Sequence, residues 1–213
     1  MTVTQVLDAA RNQLNALSDT NWSDTELLQS LYRVMLYVAR KTRCIENLYT
    51  TTSTASTAEY SKPTRTIEIV RVTYAGTKLQ MLDWREYDSI NPSNASSTGT
   101  PSYYMYFNDT LTLYPTPSAS GDTIKIWSID EPDVPTSTST LEIPTPYHDV
   151  LVTGLASEMT PKDLGHPLTA FFRDRYLSGI ADIEAHMQRR KRRDRFAIVK
   201  QEEGSLVSDF GII

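Results

Sequence analysis

Three carboxylates fall within six residues, Asp83-Trp84-Arg85-Glu86-Tyr87-Asp88, with two aromatic rings between them. Two acids flanking a sugar bond, beside rings that could stack on it, are the parts of a glycosidase. Such acids need a desolvating pocket before one of them suits general acid work. No pocket is legible around this hexapeptide, and an ordinary solvated turn anchored by its aromatics is the better reading. His148, His166 and His186 form no H-E-x-x-H and no pair four apart, so a zinc site would have to be assembled by tertiary contacts alone. Surface or capping roles are expected for them. The closest two of the eight glycines are seven residues apart, Gly204 and Gly211, which excludes G-x-G-x-x-G, a Walker A loop and G-x-S-x-G. Cys44 is the single cysteine, so neither an internal disulfide nor a cysteine-based zinc cluster is available. The expectation is therefore no catalytic residue, no cofactor-binding residue and no metal ligand.

The strongest chemical signal is Arg189-Arg190-Lys191-Arg192-Arg193-Asp194-Arg195. Residues 173–200 hold nine of the 21 basic residues against four of the 26 acids, a local +5, which leaves −10 on the rest of a chain whose net charge is −5. Such a run can neutralise phosphates, sit as a solvated helix end at the negative pole of the helix dipole, or dock to an acidic protein through arginine forks. Docking ranks first, the solvated end second and nucleic acid third, because the body is acidic rather than basic. Twelve tyrosines, with Tyr103, Tyr104, Tyr106 and Tyr114 close together, suit strands or a protein contact better than a carbohydrate platform.

These residues must be positioned by elements that the apolar spacing predicts. Val3, Val6, Leu7, Ala10, Leu14 and Leu17 recur at helical intervals over 2–17, with Thr2 and Gln5 as a possible cap. Ser23 and Glu26 form an S-x-x-E capping box, with Trp22 and Leu27 as its hydrophobic staple, ahead of a helix over 24–47. From Thr50 the texture turns to β. Strands are expected at 66–74 and 78–82, joined by Ala75-Gly76-Thr77, at 102–107 and 111–114 around Asn108-Asp109, and at 123–129 and 140–143. Helices return after Thr145, the predicted N-cap before Pro146, and again over 167–195, the latter about 40 Å long at ~1.5 Å per residue. The longest apolar stretch, Val34 to Ala39, is far short of a membrane span, and Met1-Thr2-Val3-Thr4 carries no signal-peptide pattern, so no membrane association is expected.

The expected fold class is α+β: a four-helix bundle from residues 1–49 and 144–195, an inserted β-rich module over 50–143, and an extended C-terminal tail over 196–213. The tail carries Phe196, Ile198, Val199, Leu206, Val207, Phe210, Ile212 and Ile213, too much apolar area for a pure linker. Coupled folding onto a partner would bury it.

The ordered succession Ala58-Glu59-Tyr60-x-x-Pro63, Ile69-Val70-Arg71-Val72-Thr73-Tyr74-Ala75-Gly76-Thr77-Lys78-Leu79, Gly99-Thr100-Pro101-Ser102-Tyr103-Tyr104, Leu111-x-Leu113-x-Pro115-x-Pro117 and Ile143-Pro144-x-Pro146-Tyr147 resembles the head-to-tail adaptor proteins of tailed bacteriophages, also called connector, head-completion or tail tubular A proteins. The likeness covers about residues 22–190. It departs at Lys62, where relatives tend to be apolar, and in the long C-terminal extension. The resemblance implies a non-enzymatic virion protein at the head–tail junction, made in the host cytoplasm. There it would form a homo-oligomeric ring, usually dodecameric, beneath the portal, bind other tail or neck proteins, and continue the channel through which DNA passes without sequence-specific binding. By analogy, portal docking falls to Arg189, Arg190, Lys191, Arg192, Arg193, Arg195, Phe196, Ile198, Val199, Phe210, Ile212 and Ile213. The alternative is a tail-associated cell-wall hydrolase or glycan-binding component using Asp83, Glu86 or Asp88.

Overall fold

The computed structural model describes residues 1–15, 22–91, 97–160 and 168–206, with side chains in the last segment described as far as Arg190. The chain divides into two compact units, one made of Met1–Cys44 with Pro132–Ile213 and the other of Ile45–Glu131. Among the described residues there are five α-helices, one 3₁₀ turn and ten strands in three sheets.

In the first unit, α1 (Val3–Gln13) starts with the Thr2/Gln5 capping box. Helix α2 (Asp24–Thr42) starts with the Ser23/Glu26 box, each side chain accepting from the other's backbone N–H. Arg11, in the last turn of α1, reaches the start of α2, its guanidinium 2.5 Å from Asp24 and 3.1 Å from the carbonyl of Trp22. Helix α2 ends five residues earlier than its apolar pattern predicts, because Arg43 adopts the left-handed conformation and the chain enters a strand at Glu46. Cys44 is buried beyond the helix end rather than within it. Thr145 does not cap a helix: Thr145–Tyr147 is a 3₁₀ turn that leads into α4 (His148–Met159). Helix α5 runs Thr169–Leu206.

The predicted four-helix bundle is not formed. Instead α1, α2 and α5 each pack on α4, which is buried along most of its length through Leu151, Val152, Gly154, Leu155, Ala156 and Met159. Helix α4 is apolar over most of its surface, with charges only at Asp149 and Glu158 near its two ends, as suits a central helix, whereas a bundle would give each helix one stripe. Gly154 makes this possible, since a Cβ there would stand 2.7 Å from both Val34 of α2 and Tyr176 of α5. The remaining helix, Trp84–Ile90, lies in the other unit, and the C-terminal tail is not extended where it is described: its backbone stays helical through Leu206. The strand expected over 140–143 reduces to one bridge, Thr140 to Thr2.

In the second unit, β1 (Glu46–Thr52), β2 (Glu59–Ser61), β3 (Thr66–Tyr74), β4 (Thr77–Lys78), β5 (Gln80–Met81), α3 (Trp84–Ile90), β6 (Thr98–Gly99), β7 (Tyr103–Phe107), β8 (Thr110–Tyr114), β9 (Thr116–Pro117) and β10 (Thr123–Asp130) follow in order. One sheet has the order β1-β10-β3-β4, another β2-β8-β7-β5, and β6 pairs with β9. The two larger sheets share one core, with Ile69, Val72, Tyr74, Ile124 and Ile126 of the first meeting Tyr104, Leu111 and Leu113 of the second. The β3–β4 turn uses Ala75 and Gly76, both at positive φ, as a two-residue hairpin turn requires. The expected partner strand is split: β4 pairs with β3, then the chain crosses at Leu79 so that β5 runs parallel to β7 in the other sheet.

Candidate functional site

Helix α5 is the element on which the predicted docking residues stand. Phe172, Ile180, Ile183 and Met187 are buried, with Tyr176 half-buried among them, a stripe at spacings of three and four. Burial pushes the Tyr176 hydroxyl far above the usual tyrosine range, helped by Tyr37 and Glu158 nearby. Met187 is the last buried residue among those whose side chains are described, and Gln188, Arg189 and Arg190 are exposed. The helical backbone continues for 19 residues beyond Met187, carrying Lys191, Arg192, Arg193, Arg195, Phe196, Ile198 and Val199. Phe210, Ile212 and Ile213 lie outside the described residues.

The base of this segment is tied to the turn before α4. The Tyr147 hydroxyl is hydrogen-bonded to Nδ1 of His186, with the rings edge to face. Burial raises the Tyr147 pKa and Cys44 adds to the rise, while the charge of Arg190 opposes it. His186 and Arg190 are one helical turn apart, so both face the Tyr147 side of α5. His148 has a different role. Its Nδ1 accepts from the α-amino group of Met1 at 2.8 Å, and its Nε2–H donates to the Ile143 carbonyl at 2.8 Å. Burial holds this imidazole below the usual histidine range, and the neighbouring ammonium acts in the same direction, against the pull of the Ile143 carbonyl. His166 lies outside the described residues. No group of three or more His, Cys, Asp or Glu that could hold a metal occurs among the described residues.

The carboxylate hexapeptide is a helix start. Asp83 is the N-cap of α3: its Oδ1 accepts from the Glu86 N–H at 2.7 Å, and Glu86 Oε2 accepts from the Asp83 N–H at 3.0 Å. Both carboxylates are exposed and committed to backbone donors, and Asp88 is exposed further along the helix. General acid catalysis needs a desolvated carboxyl, and none of the three is desolvated. The D-x-x-E spacing is the capping signature that identifies α2 from sequence, and it would have found α3 too.

The four neighbouring tyrosines do not form one exposed platform. Tyr104 is buried in the shared core, where burial raises its pKa. Tyr106 donates to Asp109 at 3.0 Å beneath the Lys62 ammonium, 5.8 Å from its ring centre, and Tyr114 donates to the Ile90 carbonyl and meets Tyr87 edge to face. Tyr103 is half-buried on β7. Lys62 has a local use: it pairs with Asp109 at 2.8 Å and reaches the Thr66 carbonyl at 3.0 Å, tying the β2–β3 connection to the β7–β8 turn.

Sequence reasoning missed two features. One is an aromatic-walled groove where α3 lies on the outer face of β7 and β8, with Trp84 and Phe107 exposed at its mouth, 5.4 Å between ring centres. The other is Asp130, fully buried, whose carboxylate accepts from Tyr49, Asn47, Ser128 and Thr66 and so gathers β1, β3 and β10. No helix among the described residues is long and apolar enough to cross a membrane.

Among known proteins, the family model of the SU10 adaptor protein matches residues 1–200. No curated protein matches the chain.

Proposed function

The chain belongs to the SU10 adaptor protein family of bacteriophage virion components, and on that premise we propose that it joins the capsid to the tail as a ring of identical copies beneath the portal. The ring, dodecameric by the resemblance above, continues the DNA channel and exposes a surface for the next neck or tail protein. DNA passes without sequence-specific contact, and the acidic character of the body outside residues 173–200 discourages adhesion of the duplex. The protein works by binding, without turnover.

The observation that carries this reading is the family match over nearly the whole chain, and the form of α5 supports it. A helix whose last buried residue, among the side chains described, is Met187 but whose backbone continues to Leu206 offers a basic, then apolar, arm to a partner. In the proposal Arg189, Arg190, Lys191, Arg192, Arg193 and Arg195 pair with carboxylates of the portal, and Phe196, Ile198, Val199, Phe210, Ile212 and Ile213 bury apolar area against it. Electron microscopy of the virion neck, or of the protein mixed with its portal, tests the reading: density for the chain between portal and tail is the expected result. Its absence from the neck overturns it.

A further inference from the structure

The β-rich unit has two opposite faces of unlike charge, each built around exposed apolar groups. On the outer face of the β1-β10-β3-β4 sheet, one row of paired residues is Lys125, Thr73 and Lys78, and the next is Leu48, Trp127 and Arg71. The lysines and Arg71 are exposed, and Arg71 lies over the Trp127 ring at 4.9 Å. Leu48 is 50% exposed, and Val70, at the register shift beside Trp127, is 58% exposed. Glu46 and Glu68 stand farther along, in the row of Ile129. The opposite side of the unit is the outer face of the other sheet with α3 on it. There Trp84 and Phe107 are 55% and 64% exposed, Glu59 lines the same groove, and α3 with its N-cap carries Asp83, Glu86 and Asp88 against Arg85 alone of opposite sign.

An apolar centre with a polar, charged rim is the anatomy of a protein interface, and the prevailing signs, positive through Arg71, Lys78 and Lys125 on one face and negative on the other, steer and register the two. Because the faces lie on opposite sides of one unit, their union between two copies is heterologous: each contact leaves a free face of each kind, and repetition closes a ring or extends a filament. We propose that the Arg71–Lys78–Lys125 face of one copy seats against the α3 face of the next. This rests on the ring reading above and names the surfaces that build it. The occupant is a second copy of this chain because the chain itself carries the complement of each face.

Sedimentation of the full chain at 50 mM and 500 mM salt tests the proposal, using two charge-reversed variants: Lys78→Glu with Lys125→Glu, and Glu59→Lys with Asp88→Lys. The second pair spares Asp83 and Glu86, which cap α3. Self-association beyond a dimer is expected, with affinity falling about tenfold or more at the higher salt and in each variant alone. An equimolar mixture of the two variants restores assembly, since every contact again pairs opposite signs, and this recovery excludes misfolding as the cause of the loss. Assembly that both reversals leave intact overturns the proposal, as does a species that stops at the dimer or a chain that stays monomeric at every salt. So does duplex DNA binding abolished by Lys78→Glu with Lys125→Glu while assembly is unchanged, since the basic face would then serve a polyanion. Each of these results leaves the adaptor reading to be judged separately, by the presence of the chain in the neck.

Discussion

Gly154 of α4 approaches Tyr176 of α5 so closely that a Cβ on it would stand 2.7 Å from the ring's Cε2, and the same Cβ would meet Val34 of α2 at 2.7 Å. Three helices therefore converge on a position that tolerates only hydrogen. Gly154→Ala gains ~1 kcal/mol of helix propensity but overpacks a site clamped from two sides, at about 1–3 kcal/mol. The clash outweighs the propensity: a net loss of up to about 2 kcal/mol is expected, and more for Gly154→Val. Urea denaturation followed by circular dichroism reads it, and a stabilised Gly154→Ala protein would show the helices free to separate.

Asp130 is buried with four side-chain donors on its carboxylate. Burial alone would raise its pKa, but the hydrogen bonds from Tyr49, Asn47, Ser128 and Thr66 outweigh it, and the folded value lies below the ordinary one. A depressed folded pKa contributes stability above the unfolded value, about 3.9, and that contribution is lost as pH falls through the folded value. Asp130→Asn should cost about 2–3 kcal/mol near neutral pH, as expected for charged hydrogen bonds. The gap to the wild type should narrow below pH ~4. Denaturation midpoints measured from pH 7 down to 3 check both the size and the sign.

Asp83 and Glu86 cap α3, so the two possible roles respond differently to isosteric change. Asparagine caps as well as aspartate does, whereas alanine costs about 0.5–2 kcal/mol. Asp83→Asn should leave amide exchange in α3 unchanged, and Asp83→Ala should speed it. Zymography on cell walls should show no clearing by wild type or variants. Clearing lost in Asp83→Asn would restore the hydrolase reading.

Removal of residues 196–213 should leave the core intact, because the core side chains described on α5 reach only as far as Met187 and Gln188, Arg189 and Arg190 are already exposed. A change in unfolding free energy within ~0.5 kcal/mol is expected, as for sites away from the core, together with loss of attachment to portal-bearing heads. Normal attachment by the truncated chain would remove the tail from the docking surface.

The elements legible in the sequence were those with a cap or a long stripe. Thr2 with Gln5, and Ser23 with Glu26, mark the starts of α1 and α2, and Asn108-Asp109 marks the β7–β8 hairpin, both residues standing at positive φ. The end of α2 was hidden because Ile45 and Leu48 continue its apolar spacing although they belong to the chain entering and forming β1. Strand β1 was obscured by its threonine-rich texture, and α3, at seven residues, is too short to show a period. The bundle failed as an expectation because the sequence displays each helix's stripe but not which helix is surrounded. For α5, the mixed apolar and polar residues of 196–213, with two glycines and no cap signal, read as extended chain, yet through Leu206 the backbone continues a helix already nucleated, which needs only propagation. Of the site, the carboxylates were visible as residue types, while their commitment to capping follows only from the backbone around them.

Helix α5 has 38 residues, about 57 Å at ~1.5 Å per residue, and among its described side chains Met187 is the last that is buried. Such a rod transmits phase as well as reach: one residue inserted after Met187 advances its tip by ~1.5 Å and turns every later side chain by about 100°. The sequence between Met187 and Leu206 is thus under a constraint of length that is separate from its constraint of composition. Single-residue insertions there should harm an adaptor more than substitutions do, and a seven-residue insertion, nearly two full turns, should restore the facing while displacing whatever the arm holds by roughly 10 Å.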